Sequence, residues 1–162
     1  MSLTLREGNE GDIGALMDIM DCAFDPAFGE AWSAGQCLGI LSLPDVWLTF
    51  AEKGEHTIGF ALSRLLIDEA ELLLLAVEPD ARHHGVGRAL IERASEIAAG
   101  KGANRLLLEV RDDNPALGLY RAMAFAEIGR RRSYYQGTDG TSRDALTLAR
   151  PISQADTLST AP

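Results

Sequence analysis

Hydrophobic positions along the chain follow two periods, one typical of strands and one typical of helices. Residues 3–6 alternate apolar and polar side chains, which predicts a half-buried strand. Asn9, a residue type that caps helices, precedes apolar side chains at helical spacing over 13–20. Residues 25–29 contain a proline and a glycine, and they should break this first helix.

The next segment predicts a short helix followed by three strands. Ser33 is a suitable N-cap for that helix, and Pro44 ends it. β-Branched and aromatic side chains over 46–51 and 57–67, separated by a turn-prone stretch, indicate an antiparallel hairpin. The apolar run over 71–77 predicts a further strand.

The centre of the chain contains one unit of strand, loop and helix. After a turn at 78–80, the glycine-containing loop 82–88 leads into the clearest helical pattern of the sequence. The apolar positions of this helix are Val86, Ala89, Leu90, Ala94, Ile97 and Ala98. Gly100 and Gly102 should stop the helix, and a buried strand is expected over 105–110.

The last third predicts one helix and a closing hairpin. Asn114-Pro115 supplies an N-cap and a first helical residue, so this helix should run to about residue 124. Strands are expected over about 126–135 and 144–151. Residues 153–162 form a small, polar tail that we expect to be disordered.

Length and composition limit the chain to one domain. With 162 residues and 46% hydrophobic composition, it can build one core and is too short for two ordinary domains. Helices interleaved with hairpins around one central unit predict a mixed α/β domain over 1–152.

Charge and cysteine content exclude several classes of function. The formal net charge of −9 disfavours nucleic acid as a partner and is compatible with a basic protein or a cationic amine. No apolar stretch approaches the roughly 18 residues of a membrane span, and the start lacks a signal-peptide pattern, so we expect a cytoplasmic protein. Cys22 and Cys37 lack disulfide or metal-site spacing, and we expect both to be reduced packing residues.

The loop before the central helix has the spacing of a phosphate site. Arg82, Gly85 and Gly87 form an Arg-x-x-Gly-x-Gly pattern where a strand gives way to a helix. Unpaired backbone N–H groups and the positive end of the helix dipole suit a pyrophosphate there. The pattern is neither a Walker loop nor a dinucleotide fingerprint, and taken alone it fits an ordinary structural turn equally well.

Residues 77–90, with their strand end, glycine loop and helix start, resemble the acetyl-CoA loop of the GNAT N-acetyltransferase superfamily. The segments 108–111 and 114–125 resemble the superfamily's next strand and helix, with Asn114 and Tyr120 at its characteristic asparagine and tyrosine. The resemblance extends over about 3–151 and implies the GNAT fold, a central mixed, mostly antiparallel sheet flanked by about four helices. It also implies acetyl-CoA as cosubstrate and no metal.

Within the superfamily the chain is most similar to the RimI group, the ribosomal-protein-alanine N-acetyltransferases. The stretches that carry this similarity are 31–33, 108–111, 131–135, 139–140 and 144–146. It implies transfer to the N-terminal alanine of a small-subunit ribosomal protein. Two alternatives remain open: a GNAT enzyme for a small-molecule amine or a lysine side chain, and a non-catalytic module that binds acyl-CoA.

The chemistry requires a base and a proton donor. A protein α-amine has a pKa of about 8, so its deprotonation at neutral pH costs about 1.4 kcal/mol, against roughly 4 to 5 kcal/mol for a lysine. Glu109 ends an otherwise apolar strand, and the matching glutamate of RimI-like enzymes is the proposed base. Without the resemblance, an ion pair with Arg105 or Arg111 explains Glu109 as well. Tyr120 fits the donor to the leaving thiolate, although a lone tyrosine more often packs a helix against a sheet.

By resemblance, the coenzyme contacts three segments. Leu75, Ala76 and Val77 should contact its acetyl and pantetheine part, and Asn114 its pantetheine arm, unless Asn114 serves only as a helix cap. Backbone N–H groups around Ala76 and Val77, if a strand irregularity frees them, would bind the thioester oxygen. The implied pyrophosphate contacts are Arg82, His83, His84, Gly85, Val86 and Gly87.

Two departures from the superfamily pattern fall on one helix. Asn114 and Tyr120 are one residue closer than usual, and Ala124 replaces a customary glycine. A missing residue rotates a helix by about 100° unless the preceding loop absorbs it. Beyond this helix, Tyr134 and Tyr135 are expected to line a peptide groove, and the adjacent histidines of the loop carry no catalytic or metal-binding assignment.

Overall fold

The computed structural model describes residues 2–25 and 30–152, which form one sheet with helices on both faces. The strands are β1 (Leu3–Gly8), β2 (Val46–Lys53), β3 (His56–Leu66), β4 (Glu69–Val77), β5 (Arg105–Arg111), β6 (Ala126–Gln136) and β7 (Ser142–Pro151). The α-helices are α1 (Ile13–Ala23), α2 (Ala34–Leu41), α3 (Val86–Gly100) and α4 (Leu117–Ala122). The predicted mixed α/β fold is confirmed. No helix in these ranges combines the length and the apolar content that a membrane crossing requires.

The sheet has the strand order β1-β2-β3-β4-β5-β7-β6. Neighbouring strands are antiparallel except for β4 and β5, which are parallel. A parallel pair needs a crossover connection, and the loop and helix α3 provide it. The central unit recognised in the sequence therefore spans the one parallel step of the sheet.

Two hydrophobic cores lie on opposite faces of the sheet. One packs α3 and α4 against it and includes Leu90, Leu106 and Tyr120. The other packs α1 and α2 against it and includes Leu16 and Cys37. Cys37 thus is a packing residue as expected, whereas Cys22 is exposed, and its assignment as a packing residue was wrong.

A bulge in β4 reverses which side chains face each core. Leu62 pairs with Leu74 and Ser63 with Leu72, so Leu73 is an extra residue opposite β3. Before the bulge, Leu72 faces the core under α3. After it, Leu74 faces the core under α1 and α2, and the alternation continues to the end of the strand.

The first two helices begin as the sequence predicts. Asn9 forms a reciprocal capping box with Asp12 around the short 3₁₀ turn that leads into α1. Ser33 forms the same kind of box with Gln36 at α2. Helix α1 ends at Ala23, whereas most of the predicted break (26–29) and the predicted tail (153–162) lie outside the described residues.

Helix α4 is shorter than the sequence predicted. It begins at Leu117 with Ala116 as its N-cap, so the assignment of Asn114 and Pro115 to the N-cap and first helical residue was wrong. The Asn114 side chain instead accepts the N–H of Ala116 (2.8 Å) in a turn before the helix.

Helix α3 ends in a Schellman motif that contains a glycine. The N–H of Ala103 donates to the carbonyl of Ala98 (3.0 Å), which folds the chain back over the last turn. Gly102, between them, has a φ of +89°, a left-handed conformation that glycine adopts without steric cost.

Helix α4 ends in the same motif without a glycine. The N–H of Phe125 donates to the carbonyl of Tyr120 (3.0 Å), and their rings pack edge to face at 5.7 Å between centroids. Ala124 has a φ of +70° at the position that Gly102 occupies in α3. A left-handed alanine costs about 1–2 kcal/mol, so the departure from the customary glycine carries backbone strain.

We predict that Ala124→Gly raises the free energy of unfolding by about 0.5–1 kcal/mol, because relief of this strain exceeds the entropy that glycine adds to the unfolded chain. Gly102→Ala, where an added Cβ meets nothing within 4 Å, should lower it by a similar amount. Urea unfolding followed by circular dichroism measures both changes. A less stable Ala124→Gly variant would show that contacts of the alanine methyl group outweigh its strain.

Candidate active site

The sheet opens between β4 and β5. Their parallel pairing covers Glu69 to Leu72 against Arg105 to Leu108, whereas β4 continues to Val77. The last four residues of β4, Leu74 to Val77, therefore pair with β3 alone, after the extra residue Leu73. A gap between the two central strands results, and the remaining parts of the candidate site surround it.

Backbone donors of β4 face this gap. The N–H of Glu78 donates to the carbonyl of Ile58 (2.8 Å) on β3. Because antiparallel hydrogen bonds alternate along a strand, the N–H of Ala76 also points toward β3, whereas those of Leu75 and Val77 point into the gap. The donor pair expected around Ala76 and Val77 is thus shifted by one residue, and the strand irregularity lies at Leu73 rather than at these residues.

The loop before α3 leaves the helix N-terminus uncapped. Gly85 is its N-cap residue with a φ of +83°, and no side chain in the described ranges bonds to the first turn. Ala89 is the first residue of α3 whose N–H reaches a carbonyl of this turn, that of Gly85 (3.1 Å). The N–H groups of Val86, Gly87 and Arg88 therefore point out of the helix end, as an anionic phosphate requires.

The two glycines of the loop serve different purposes. At Gly85 an added Cβ would meet nothing within 4 Å, so its requirement is the left-handed backbone. At Gly87 an added Cβ would lie 3.0 Å from Leu119 Cδ2 of α4. Gly87 thus lets α4 approach the start of α3 and brings the helix that carries Tyr120 beside the loop.

The Arg82 side chain holds the loop rather than extending from it. Its Nη2 donates to the carbonyl of Ala23 (2.9 Å) at the end of α1, and its Nε to that of Val77 (3.2 Å). His84 Nδ1 lies 2.7 Å from the Arg82 carbonyl, and His83 has a φ of +65°. These side chains fix the loop, while the backbone of the loop presents the donors.

Glu109 directly follows Leu108 on β5 and lies where the gap begins. Its side chain is 32% exposed and its Oε1 lies 3.4 Å from Arg131 Nε. Among the described residues the alternative pairing with Arg105 or Arg111 is not found: Arg105 pairs with Glu69, and Arg111 pairs with Glu30 and Asp113.

Tyr120 of α4 is buried in the core that packs α3 and α4 against the sheet, and it is 7% exposed. Burial, and then the nearby carboxylate of Glu30 and the hydroxyl of Tyr135, raise the pKa of Tyr120 well above its ordinary value. Its phenol therefore keeps its proton through the alkaline range. Such a phenol donates a hydrogen bond more readily than it transfers its proton.

A large bulge in β6 precedes a further tyrosine of the site, Tyr135. Three residues of β6, including Ser133 and Tyr134, face the single residue Asp144 of β7. The Ser133 N–H donates to Asp144 Oδ1 (2.9 Å). Burial, and then the charges of Glu30 and Glu109, raise the pKa of Tyr135 to about 12. Tyr135 thus lies within electrostatic reach of both carboxylates.

Two charged residues at this place were missed by the sequence analysis. Arg111 ends β5 with a side chain only 6% exposed, and its guanidinium donates to Glu30 and to Asp113. Burial raises the pKa of Glu30, although Arg111 beside it favours the charged form. Glu30 directly precedes the stretch 31–33 that resembles RimI, but no spacing rule connects it with a residue 81 positions later.

The arrangement fits an acyl coenzyme and an amine on opposite sides of one gap. Donors of α3 suit a pyrophosphate, and those of Leu75 and Val77 suit a carbonyl oxygen. The side-chain nitrogen Nδ2 of Asn114 has no hydrogen bond in the described ranges, whereas its Oδ1 accepts the N–H of Ala116. In these ranges no three histidine, cysteine or acidic side chains gather in a way that could hold a metal ion. Acyl transfer between a thioester and an amine is the chemistry that these groups support.

Comparison with known proteins agrees with this geometry. Residues 14–125 match the model of the acetyltransferase (GNAT) family, and the chain belongs to this family. It is similar to ribosomal protein bS18-alanine N-acetyltransferase of Escherichia coli strain K12, with 43% identity over 95 residues. That match spans 58% of this chain and 64% of the Escherichia coli protein, less than two thirds of its length.

Two further relatives match over more of their length. The enzyme of the same name from Haemophilus ducreyi is 33% identical over 119 residues, 73% of this chain and 81% of that protein. The crystal structure of the Escherichia coli ribosomal-protein-S18-alanine N-acetyltransferase has a TM-score of 0.84 and 33% identity. It covers 94% of this chain and 95% of that one. The expected resemblance to the RimI group is confirmed.

We predict that Gly85→Ala weakens the binding of acetyl-CoA by about five- to thirtyfold, because a left-handed alanine costs about 1–2 kcal/mol and the loop relaxes from its binding shape. Gly100→Ala, at the other end of α3, also adds a methyl group that meets nothing within 4 Å, and it should leave affinity unchanged. Isothermal titration calorimetry measures both. Equal affinities in both variants would mean that the left-handed backbone at Gly85 is not needed for binding.

Proposed function

We propose that the chain is an acetyl-CoA-dependent N-acetyltransferase that acts on the N-terminal alanine of a small-subunit ribosomal protein. The observation that supports the proposal is that Glu109 directly follows Leu108, where the pairing of β5 with β4 ends and the N–H groups of Leu75 and Val77 are left without a strand partner. Tyr120 lies within electrostatic reach of Tyr135, as Glu109 does. The acceptor is suggested by the relatives, which are named for the alanine of ribosomal protein bS18. We assign this activity to a domain over 1–152.

The backbone around the gap holds the coenzyme in this proposal. Bound acetyl-CoA supplies the acetyl group as a thioester. The uncapped N–H groups of Val86, Gly87 and Arg88 bind its pyrophosphate, and the amide nitrogen of Asn114 donates to its pantetheine arm. The Asn114 carbonyl oxygen already accepts the N–H of Ala116. Asn114 thus serves as a turn cap and as a ligand with different atoms of one side chain.

Glu109 accepts the proton of the acceptor in this proposal. The ammonium of the N-terminal alanine passes a proton to the Glu109 carboxylate, directly or through one water. The nitrogen lone pair then attacks the carbonyl carbon, while the N–H groups of Leu75 and Val77 stabilise the developing charge on the oxygen. Arg131 Nε lies 3.4 Å from Oε1 of the same carboxylate. The incoming ammonium therefore competes with an exposed guanidinium that water can solvate.

Tyr120 donates to the leaving sulfur in this proposal. Its raised pKa makes full proton transfer to a thiolate less favourable than a hydrogen bond. When the C–S bond breaks, the phenol therefore stabilises negative charge on the sulfur and remains neutral itself. The second proton of the attacking nitrogen passes through water to the departing thiolate, so that a neutral amide and the coenzyme thiol are the products. With a ribosomal acceptor, the reaction takes place in the cytoplasm. The net charge of −9 favours the encounter of the enzyme with a basic protein.

We predict that Glu109→Gln lowers kcat/KM for an alanine-starting peptide, copied from the ribosomal substrate, by about 10²–10⁴-fold, the range for loss of a general base. Affinity for acetyl-CoA should not change. Glu127→Gln is the matched control, because Glu127 is an exposed carboxylate on the neighbouring part of the sheet. Mass spectrometry of the peptide measures the product.

Other results of this assay select the alternatives. Acetylation only at a lysine side chain or on a small-molecule amine would replace the proposed acceptor. Coenzyme binding without transfer to any amine of a panel would favour a non-catalytic module that binds acyl-CoA.

We predict that Tyr120→Phe lowers kcat by about 10²-fold or more without changing the shape of the pH–rate profile between about pH 7 and 9.5. The reason is the raised pKa of Tyr120, because the phenol stays protonated above the ordinary tyrosine pKa of about 10. Ionisation of Tyr120 should therefore cause no decrease of the rate below that pH. Tyr134→Phe, on an exposed tyrosine, is the control. An alkaline limb near pH 8 that vanishes only in Tyr120→Phe would contradict the assignment.

A further inference from the structure

One buried ion pair joins two distant parts of the chain beside the gap. The Arg111 guanidinium, 6% exposed, donates through Nη1 to Glu30, whose side chain is 16% exposed. Its Nε donates to Asp113, which also accepts Arg143 Nε at 2.7 Å. The pair thereby connects the segment that leads into α2 with the end of β5.

The pair lies close to the groups assigned to the reaction. Arg111 and Glu109 are two residues apart on one strand, so both side chains project from the same face of β5. The Glu30 carboxylate is near enough to Tyr120 and to Tyr135 to raise the pKa of both phenols, after the larger effect of burial. Glu30 thus lies near the tyrosine assigned to the leaving sulfur and near the tyrosine that Glu109 also affects.

Stability does not explain a charge pair at this position. Removing two charges from water costs about as much as their attraction returns, and apolar residues of similar volume are often as stable. What the pair adds is a fixed geometry, because the planar guanidinium holds the carboxylates of Glu30 and Asp113 in defined positions at the same time. The segment before α2 is thus held at a defined distance from β5.

We propose that the ion pair between Glu30 and Arg111 is a positioning device for the acceptor: it fixes the segment before α2 as one wall of the acceptor site, facing Tyr120 and Tyr135. This inference rests on the proposed function and goes beyond it, because neither residue takes part in the proton transfers assigned to Glu109 and Tyr120. The coenzyme side of the gap, formed by β4 and α3, does not depend on the pair.

The test compares Glu30→Gln, Arg111→Met and the double variant Glu30→Met with Arg111→Met. We expect the two single variants to raise KM for the alanine-starting peptide by about tenfold or more, while KM for acetyl-CoA stays within about twofold of the wild type. The double variant should regain the thermal stability that the single variants lose, because no buried charge is left unpaired there. Its KM for the peptide should stay high, because the segment before α2 is no longer held in position.

Glu52→Gln is the matched control, because it breaks a carboxylate–guanidinium pair with Arg6 on β1 and β2, at the sheet edge remote from β5, and the Glu52 side chain is similarly buried at 19% exposure. It should leave both KM values unchanged. An unchanged KM for the peptide in a folded Glu30→Gln variant would overturn the inference. A double variant that restores both stability and KM would also overturn it, because the pair would then only support the fold.

Hydrogen exchange separates this inference from the proposed function. Amides of residues 30–33 should exchange faster in Arg111→Met than in the wild type and in Glu52→Gln, whether or not the peptide is a substrate. A wild type that fails to acetylate the peptide would remove the proposed function. Unchanged exchange at 30–33 in Arg111→Met would remove the positioning device by itself.

Discussion

The parallel pairing of β4 and β5 stops after Leu72 and Leu108, and the position of each functional group depends on that interruption. A sheet whose central strands stayed paired would use the N–H groups of Leu75 and Val77 in its ladder and would leave no opening beside Glu109. Because the strands separate, backbone donors that would otherwise be satisfied remain available on the β4 side. Backbone groups with no partner are costly when they are buried, so this edge has a chemical reason to bind a polar ligand.

The bulge at Leu73 makes this separation compatible with two cores. An extra residue shifts the alternation of side chains by one, so the last part of β4 sends Leu74 and Ala76 toward α1 and α2. Leu75 and Val77 pack instead against the core under α3. The strand thus changes its pairing and its packing at nearly the same residue, as bulges next to functional sites commonly do.

Local patterns in the sequence sufficed for the elements and for the coenzyme loop, because these depend on neighbouring residues. Capping at Asn9 and Ser33 and the glycines before α3 are read within a few positions of one another. The start of α4 was misplaced because an asparagine before a proline caps a turn as readily as a helix. The roles expected for Glu109, Tyr120 and the coenzyme contacts stay predictions, and the geometry supplies their surroundings.

What the sequence could not show are pairings across the fold. The bulge at Leu73 is a property of two strands in register, and an apolar run such as 71–77 has no signal for it. The contact between Glu30 and Arg111 joins residues far apart in the chain, where charge pattern along one element is uninformative. Both features lie at the gap, where the regular pairing of the strands ends and a ligand has to be positioned.

The acid residues near the gap also explain how one site can hold two tyrosines in neutral form. Each added negative charge makes ionisation of a nearby phenol less favourable, and burial acts in the same direction. Glu30 acts on both Tyr120 and Tyr135, and Glu109 acts on Tyr135. In the proposed reaction a cationic acceptor meets these carboxylates, whereas the leaving sulfur meets a phenol that still carries its proton. Burial separates these two tasks in the proposal, since Tyr120, which is assigned to the sulfur, is more deeply buried than Tyr135.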